Sequence, residues 1–438
     1  MRSVNTKNAW FNKNRNYLHF DKKISEKKAY SLVCNASKVA SWNFFPFLSV
    51  PVTSRKIYRD EKDSLQKKDK IRKIMYAGHM DSNIYAYYAS KLQTLYEKRI
   101  SDCTLHTNIL AFRKISKNNS EESGKCNIDF AKDIFDDIKS RDECVVLSFD
   151  VKAFFDKIDH MLLKTSWIKL LGQKKLPQDH FSIFKSLTSY SYVNRKKVFD
   201  TFSITKASKR NGIKRICSIK DFRTIVRKDN LIAKNQDNFG IPQGSPMSGL
   251  LSNLYLLEFD KMILNRTKAH GASYYRYCDD IIIICDQKAQ AIFKLLVTFL
   301  LNELKLKTNE KTMVTTFTRN SKHELTCDKS LQYLGFMFDG RQTTIRSSSY
   351  ARFLKKMRKA VLLASHTRRK YNKIREAKGL PALPLYKQKL YARYSYLGKR
   401  NFITYAHRAG QIMQEPKIKQ QIKPAWNRLQ FAISENAS

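Results

Sequence analysis

"YYRYCDDIIIICD", Tyr274 to Asp286, sets Asp279 and Asp280 side by side and follows them with four isoleucines. Two carboxylates about 4 Å apart repel by roughly 4 kcal/mol at an effective dielectric near 20. An apolar run beside them raises the penalty. Such a pair is tolerable when it is solvated at a loop tip, paired with Lys or Arg, or holding a metal ion. The stretch reads as two strands, "SYYRYC" and "DIIIIC", joined at the acid pair and anchored in a core by the isoleucines.

Working outward, "ECVVLSFDVKAFFDKIDHMLL" predicts a buried strand, Val145 to Phe149, that ends in Asp150 and runs into a helix start. "FGIPQGSPMSGLLSNLYLLEFDKMILNRT" is a Gly/Pro turn opening a long helix. A helix over 287–304 follows, then "YLGFMFDGRQTTIR" as a hairpin with "DG" as its turn signal, and from about Ser347 the chain is helical and basic. Upstream, Ile84, Tyr88, Leu92, Leu95 and Tyr96 recur at helical spacing, with His79 and Asp81 near the helix start as capping and packing residues. "NILAFRKIS" predicts a short strand carrying Arg113 and Lys114 at its end. Between Tyr190 and Asn238 the chain is basic and irregular, either a solvated insertion or an RNA-contacting flap. The order of elements predicts an α+β fold, with helices on one face of a small antiparallel sheet.

Lys and Arg number 83 against 38 Asp and Glu, a formal charge of +45 spread along 438 residues. Self-repulsion on that scale calls for a polyanionic partner, and nucleic acid is the natural one. A membrane surface is the rival. No apolar run approaches 18 residues and the opening residues contain no signal-type apolar segment, so a soluble, cytoplasmic protein is expected. The eight cysteines form no CxxC pair, which argues for reduced thiols and against a zinc module.

Asp150 closes one apolar strand and Asp279 sits at the tip of a hairpin of two more. If those strands are neighbours, Asp150, Asp279 and Asp280 converge at one sheet edge. Oxygen-only ligands at that density suit two magnesium ions, with manganese as an alternative. Two ions about 4 Å apart can activate a 3′-hydroxyl and stabilise a leaving pyrophosphate.

Five segments resemble, in order, the motifs of the reverse transcriptases. "LSFDVKAFFDKIDH" is similar to their first catalytic motif and "GIPQGSPMSGLLSNLYL" to the Q-G motif. "YCDD" resembles the Y-x-D-D box, "LKTNEKT" the Lys-bearing motif and "YLGFMF" the primer grip. The resemblance covers about Ile109 to Phe338. It implies a right-hand polymerase: residues 1–105 a helical extension and the start of the fingers, and 106–245 fingers and first part of the palm, with a basic insertion near 190–238. Residues 246–345 would form the palm with the YCDD hairpin and primer grip, and 346–438 a helical, basic thumb. By position, Asp150, Asp279 and Asp280 become catalytic metal ligands, joined by the Val151 carbonyl. Phe155 becomes the aromatic gate under the incoming sugar, with Phe154 beside it a core residue. Gln243 and Gly244 become the turn that touches the nucleotide, Arg113 and Lys114 the holders of the triphosphate, and Lys311 a charge-neutralising lysine. On the basic helix after Ser347, Lys355, Lys356, Arg358 and Lys359 would grip RNA while apolar Phe353, Leu354, Val361 and Leu362 dock on the palm.

Within the superfamily, Cys278 in "YCDD" and the upstream "HMDSNIYAYYASKLQTLYE" look most like the bacterial defence-associated reverse transcriptases, type 2 system, of the unknown-group class. That resemblance implies a structured non-coding RNA as template, copied into complementary DNA from deoxynucleoside triphosphates through an RNA–DNA hybrid; the sequence leaves the oligomeric state open, with a monomer bound to RNA favoured. The alternatives are a group II intron-type or retron-type enzyme, and a catalytically silent RNA-binding scaffold. "NASKV" at Asn35 and "VTT" at Val314 each lack one residue of the retron elements. A silent scaffold would be expected to have lost an acid, and an RNA-dependent RNA polymerase to carry a small or polar residue at Phe155.

Overall fold

The computed structural model describes residues 10–12, 15–59, 64–117, 120–205, 207–208, 211–309 and 312–436. The chain divides into two compact units. One comprises Met1–Phe112, Phe149–Ile281 and Ala291–Thr312, and the other Arg113–Ser148, Ile282–Gln290 and Met313–Ser438.

In the first unit, the strands Phe47–Arg59 and Leu65–Tyr76 form a long antiparallel hairpin in which Val52 faces Arg72 and Ser54 faces Lys70. Because side chains alternate along a strand, Lys70, Arg72 and Ile74 share one face. Two short strands, Ser191–Asn194 and Ile232–Lys234, extend the sheet beyond Phe47–Arg59. Among its described residues, the basic region from 190 to 238 therefore contains regular elements and a core of its own. Val193, Val198, Ile216, Phe222 and Val226 pack with Phe20 and Leu48 into a core, while Lys196 and Lys197 stay exposed. Apolar residues spaced between the charges carry that structure, and a reading of charge runs passes over them.

The helix His79–Asp102 buries Ile84, Tyr88, Leu92 and Tyr96 but leaves Leu95 40% exposed. Gly78 precedes it and has no side chain to cap with. Asp21, distant in sequence, accepts from the amides of His79 and Met80 at 2.9 and 2.8 Å. Asp81 instead takes Trp42 Nε1–H at 2.8 Å and the Phe45 amide at 3.0 Å, and burial pushes its carboxyl up to about 7. "NILAFRKIS" is not a strand. Ile109 makes a single bridge to Arg276, the chain turns at Phe112 with φ +60°, and the next strand is Ser116–Lys117. The long helix expected after the Q-G turn is two, Ser248–Tyr255 and Leu257–Ala269, broken at Leu256.

The second unit is built on the strand Met313–Arg319, antiparallel both to Leu325–Cys327 and to the strand Cys144–Asp150, whose first five residues lie here with Val146 opposite Thr315. The strand Asp280–Cys285 starts in the first unit and ends in this one, and Ile281 to Ile284 are at most 1% exposed. Continuous burial rather than alternation marks a strand covered on both faces, which is why four isoleucines follow the acids. The "DG" turn lies where expected, between Phe336–Phe338 and Thr343–Ile345. Asp339 accepts from the amides of Arg341 and Gln342, and Gly340 takes φ +95°.

Ser347–Glu376 is one long helix that buries Phe353, Met357, Val361 and Ser365 at every fourth position. Met357 and Val361 join Leu390, Leu429 and Ile433 in a cluster, so the stripe expected to dock on the palm closes a helical bundle within this unit. Leu362, expected in that stripe, is 54% exposed. All eight cysteines are free. No described helix is long and apolar enough to cross a membrane.

Candidate active site

Two chain segments meet at the C-terminal end of the strand Cys144–Asp150. On one side the Val151 amide donates to the Asp279 carbonyl at 3.3 Å. On the other, Lys152 donates to the Lys307 carbonyl at 2.9 Å and Asn309 to the Asp150 carbonyl at 2.8 Å, with Val151 bridged to Thr308. The strand end is thus clamped between the hairpin tip and the segment Lys307–Asn309, and Asp150 comes within electrostatic reach of Asp279 and Asp280. Asn309 also donates through its side-chain amide to the Asp150 carboxylate. Lys311 lies outside the described residues.

The acids repel as the sequence implies. Burial and then the Asp279 charge raise the Asp150 carboxyl, against the pull of Asn309, Lys70 and Arg72. Asp280 reaches water, yet surrounding protein desolvates it enough, together with Asp279 and Asp150, to push its carboxyl up to about 7. Among the described residues no three His, Cys, Asp or Glu side chains close around an ion by themselves. The three carboxylates still fit hard divalent cations. The donors are all oxygen, their mutual repulsion is only partly compensated, and magnesium usually binds through one or two carboxylates with its other positions filled by substrate phosphates and water.

The hairpin tip is held from beneath. Strand Ser273–Tyr277 turns through Cys278 and Asp279 into Asp280–Cys285, and Cys278 alone of the two turn residues takes a positive φ, +60°, the pattern of a type II′ turn that usually has glycine there. A left-handed non-glycine residue costs of order 1–3 kcal/mol and persists only where its surroundings hold it. Arg276, fully buried, does so. Its Nη1 donates to the Cys278 carbonyl at 3.0 Å and to Asn253 Oδ1 at 3.1 Å, while Nε and Nη2 form a fork on Asp260 at 2.7 and 2.6 Å. Tyr274 donates to the same carboxylate at 2.6 Å. Burial opposes the Arg276 charge, but Asp260 outweighs it and holds the guanidinium protonated. Asn253 extends the network by donating to the Ala111 carbonyl at 2.9 Å. Sequence reasoning missed this set, although a lone Arg between strand aromatics, with an acid on the preceding helix, is a readable signal.

In the same unit as the acids lies a cleft of about 630 Å³ lined by Trp10, Phe112, Phe155, Gln243, Gly244 and Pro246 among others. Phe154 is 2% exposed and Phe155 half-buried, the division expected of consecutive helix positions. Phe112 meets the Phe155 ring edge-on at 6.4 Å. Gly244 has φ +111°, and a Cβ there would lie 2.8 Å from the Met75 carbonyl oxygen. The Met75 amide donates to the Gln243 carbonyl at 2.7 Å, so only glycine lets the Q-G turn seat against the long hairpin. That hairpin carries Lys70 and Arg72, whose charges act on Asp150, and Lys73, which with Lys70 acts on Asp156. These basic residues were not singled out from the sequence. Arg113 and Lys114 lie in the second unit, just after the turn at Phe112.

A strand-end aspartate beside an Asp-Asp hairpin, with helices and a basic two-stranded ribbon around them, is the fold of a right-handed polymerase. Residues 65–338, more than half of the chain, match the family described as Reverse transcriptase (RNA-dependent DNA polymerase), and the chain belongs to that family. Enzymes of this family use divalent metal ions. No curated protein matches the chain. Among solved structures it is similar to apo telomerase from Candida tropicalis truncated from its C-terminal domain, at 12% identity and TM-score 0.39 over 68% of this chain and 57% of that one. It is also similar to telomerase from Candida albicans in complex with a TWJ fragment of telomeric RNA, at 10% identity and TM-score 0.38 over 94% and 64%. The chain thus spans somewhat more than half the length of these structures, and a likeness of this degree carries no argument about activity or partners.

Proposed function

We propose that this reverse transcriptase copies a dedicated structured non-coding RNA into complementary DNA in bacterial antiphage defence, acting in the cytoplasm as a monomer bound to its RNA. The observation that carries the polymerase chemistry is the clamp that brings Asp150 to Asp279 and Asp280. The defence reading rests on the "YCDD" box and the segment from His79 to Glu97. Sequencing the nucleic acid that copurifies with the protein tests it. One abundant non-coding RNA with DNA complementary to it supports the reading. An RNA that folds as a ribozyme would assign the chain to the intron type.

In this reading Asp150, Asp279, Asp280 and the Val151 carbonyl would hold two magnesium ions, which supply charge neutralisation for the attacking 3′-hydroxyl and the leaving pyrophosphate. The chain's own residues do the rest. Lys70 and Arg72 hold the triphosphate from the hairpin face they share, in addition to Arg113 and Lys114, to which the resemblance gives the same role. Phe155 bounds the space beneath the sugar, and Gln243 and Gly244 set the turn against which the nucleotide lies. Nucleotide titration in primer extension separates these roles. Phe155→Ala should raise incorporation of ribonucleotides relative to deoxyribonucleotides. Lys70→Ala with Arg72→Ala should raise KM for both nucleotide types alike, since they touch phosphate and not sugar. An unchanged sugar ratio returns Phe155 to a packing role.

Lys355, Lys356, Arg358 and Lys359 are all exposed on the long helix, clear of its buried stripe. They grip the template duplex through its phosphates. Neutralising all four should flatten the slope of log affinity against log salt by up to about 0.9 for each duplex phosphate they neutralise, measured by filter binding across a salt series. An unchanged slope leaves them as solvating charges.

A further inference from the structure

From Ser347 to Asn436 the chain carries 21 Lys and Arg against three Glu. Within that bundle lies a cleft of about 540 Å³ whose wall includes Tyr394, Tyr396, His407, Lys419, Lys423 and Trp426. Its volume falls within the range of about 300–1,000 Å³ typical of small-ligand sites. No Asp or Glu lines it. Trp426 stands between two tyrosines, with ring centroids 5.4 Å from Tyr391 and 5.3 Å from Tyr396. Tyr396 is 56% exposed, and Lys419 and Lys423 are exposed as well, so the aromatic group presents a face to solvent with cations beside it.

We infer that this cleft is a binding site for single-stranded nucleic acid, which stacks an unpaired base on Tyr396 and Trp426 and sets its phosphates against Lys419 and Lys423. Aromatic faces interleaved with cations are the means by which proteins hold single strands without reading their sequence. A duplex has no free base face to offer such a recess. The charge around it favours a polyanion over an acidic peptide, because a peptide has no ring system to match the aromatic group at each step. The cleft's wall shares no residue with the polymerase centre or with the helix carrying Lys355, Lys356, Arg358 and Lys359, and the inference stands whether or not the template proposal does.

Fluorescence anisotropy on the full chain tests it, with a labelled single-stranded oligoribonucleotide, the same sequence as oligodeoxyribonucleotide, and an RNA duplex. Tyr396→Ala should weaken binding of the single strands about tenfold, with little change on the duplex, and Tyr396→Phe should keep most of the affinity. Lys419→Gln with Lys423→Gln should lower the salt slope for single strands by about 0.7 for each phosphate these lysines engage. Preference between the RNA and DNA strands tells template or scaffold from product. Unchanged binding by Tyr396→Ala, or equal losses on duplex and single strand, overturns the site. If Tyr396→Ala melts early, photocrosslinking of the wild-type protein to the oligoribonucleotide decides instead: adducts on Tyr396 or Trp426 support the cleft and their absence overturns it. Primer extension on the same preparations keeps this outcome distinct from that of the polymerase assignment.

Discussion

Asp279→Ala combined with Asp280→Ala is expected to abolish DNA synthesis while leaving the protein folded and able to bind RNA. The physical ground is a separation of duties. The two acids sit at the tip of a hairpin anchored by the buried isoleucines behind it, and in the proposed reading RNA affinity would come from Lys and Arg spread over the chain. Removing them even relieves repulsion, since Asp279 and Asp150 both act on Asp280. Melting in EDTA should therefore show no loss of stability for the double variant, and primer extension with magnesium should show no product. Undiminished synthesis would remove the acids from the chemistry. Early melting would mean that the turn itself depends on the two carboxylates.

Arg276→Met is expected to show the opposite pattern, a folding defect with loss of activity as its companion. Removing the guanidinium leaves Asp260 buried without its ion pair, a change that costs about 3–5 kcal/mol when a fully buried pair is broken. Asn253 and the Cys278 carbonyl lose a donor at the same time. Adding Asp260→Leu should recover much of the stability, because an apolar pair of similar volume avoids the desolvated charge. It should not recover polymerase activity, since the donor to the Cys278 carbonyl, which supports its left-handed conformation next to the acids, is then gone. Urea denaturation and primer extension on the single and double variants separate the two effects. A double variant that regains both would make the pair a packing element with no part in positioning the turn.

Much of this was legible in the chain itself. The alternation of "SYYRYC", the apolar run after Asp280 and the strand ending in Asp150 are local signals, because strand formation and burial leave their periods in the residues concerned. The "DG" turn was readable for the same reason: Asp339 bonds its own neighbours. The bulk charge was readable because it needs no geometry. Where reading failed, the determining partner was distant. "NILAFRKIS" looks extended, but Ile109 makes an isolated bridge to Arg276 and the chain then turns at Phe112. The region from 190 to 238 looks solvated until Phe20 and Leu48 arrive from far upstream to complete its core.

The site divides along the same line. Residue types and order alone led to the expectation that three carboxylates, Phe155 and a Q-G turn serve one chemistry, since each lies in a short motif with its own local reason. Only the tertiary structure decided that Asp150 is clamped between Asp279 and Asn309, that the charges of Lys70 and Arg72 act on Asp150 from a hairpin some 80 residues upstream of it in the chain, and that a buried Arg276–Asp260 pair holds the turn. Backbone pairing, long-range charge and a desolvated ion pair depend on distances between segments, and the order of residues along a chain does not contain those distances.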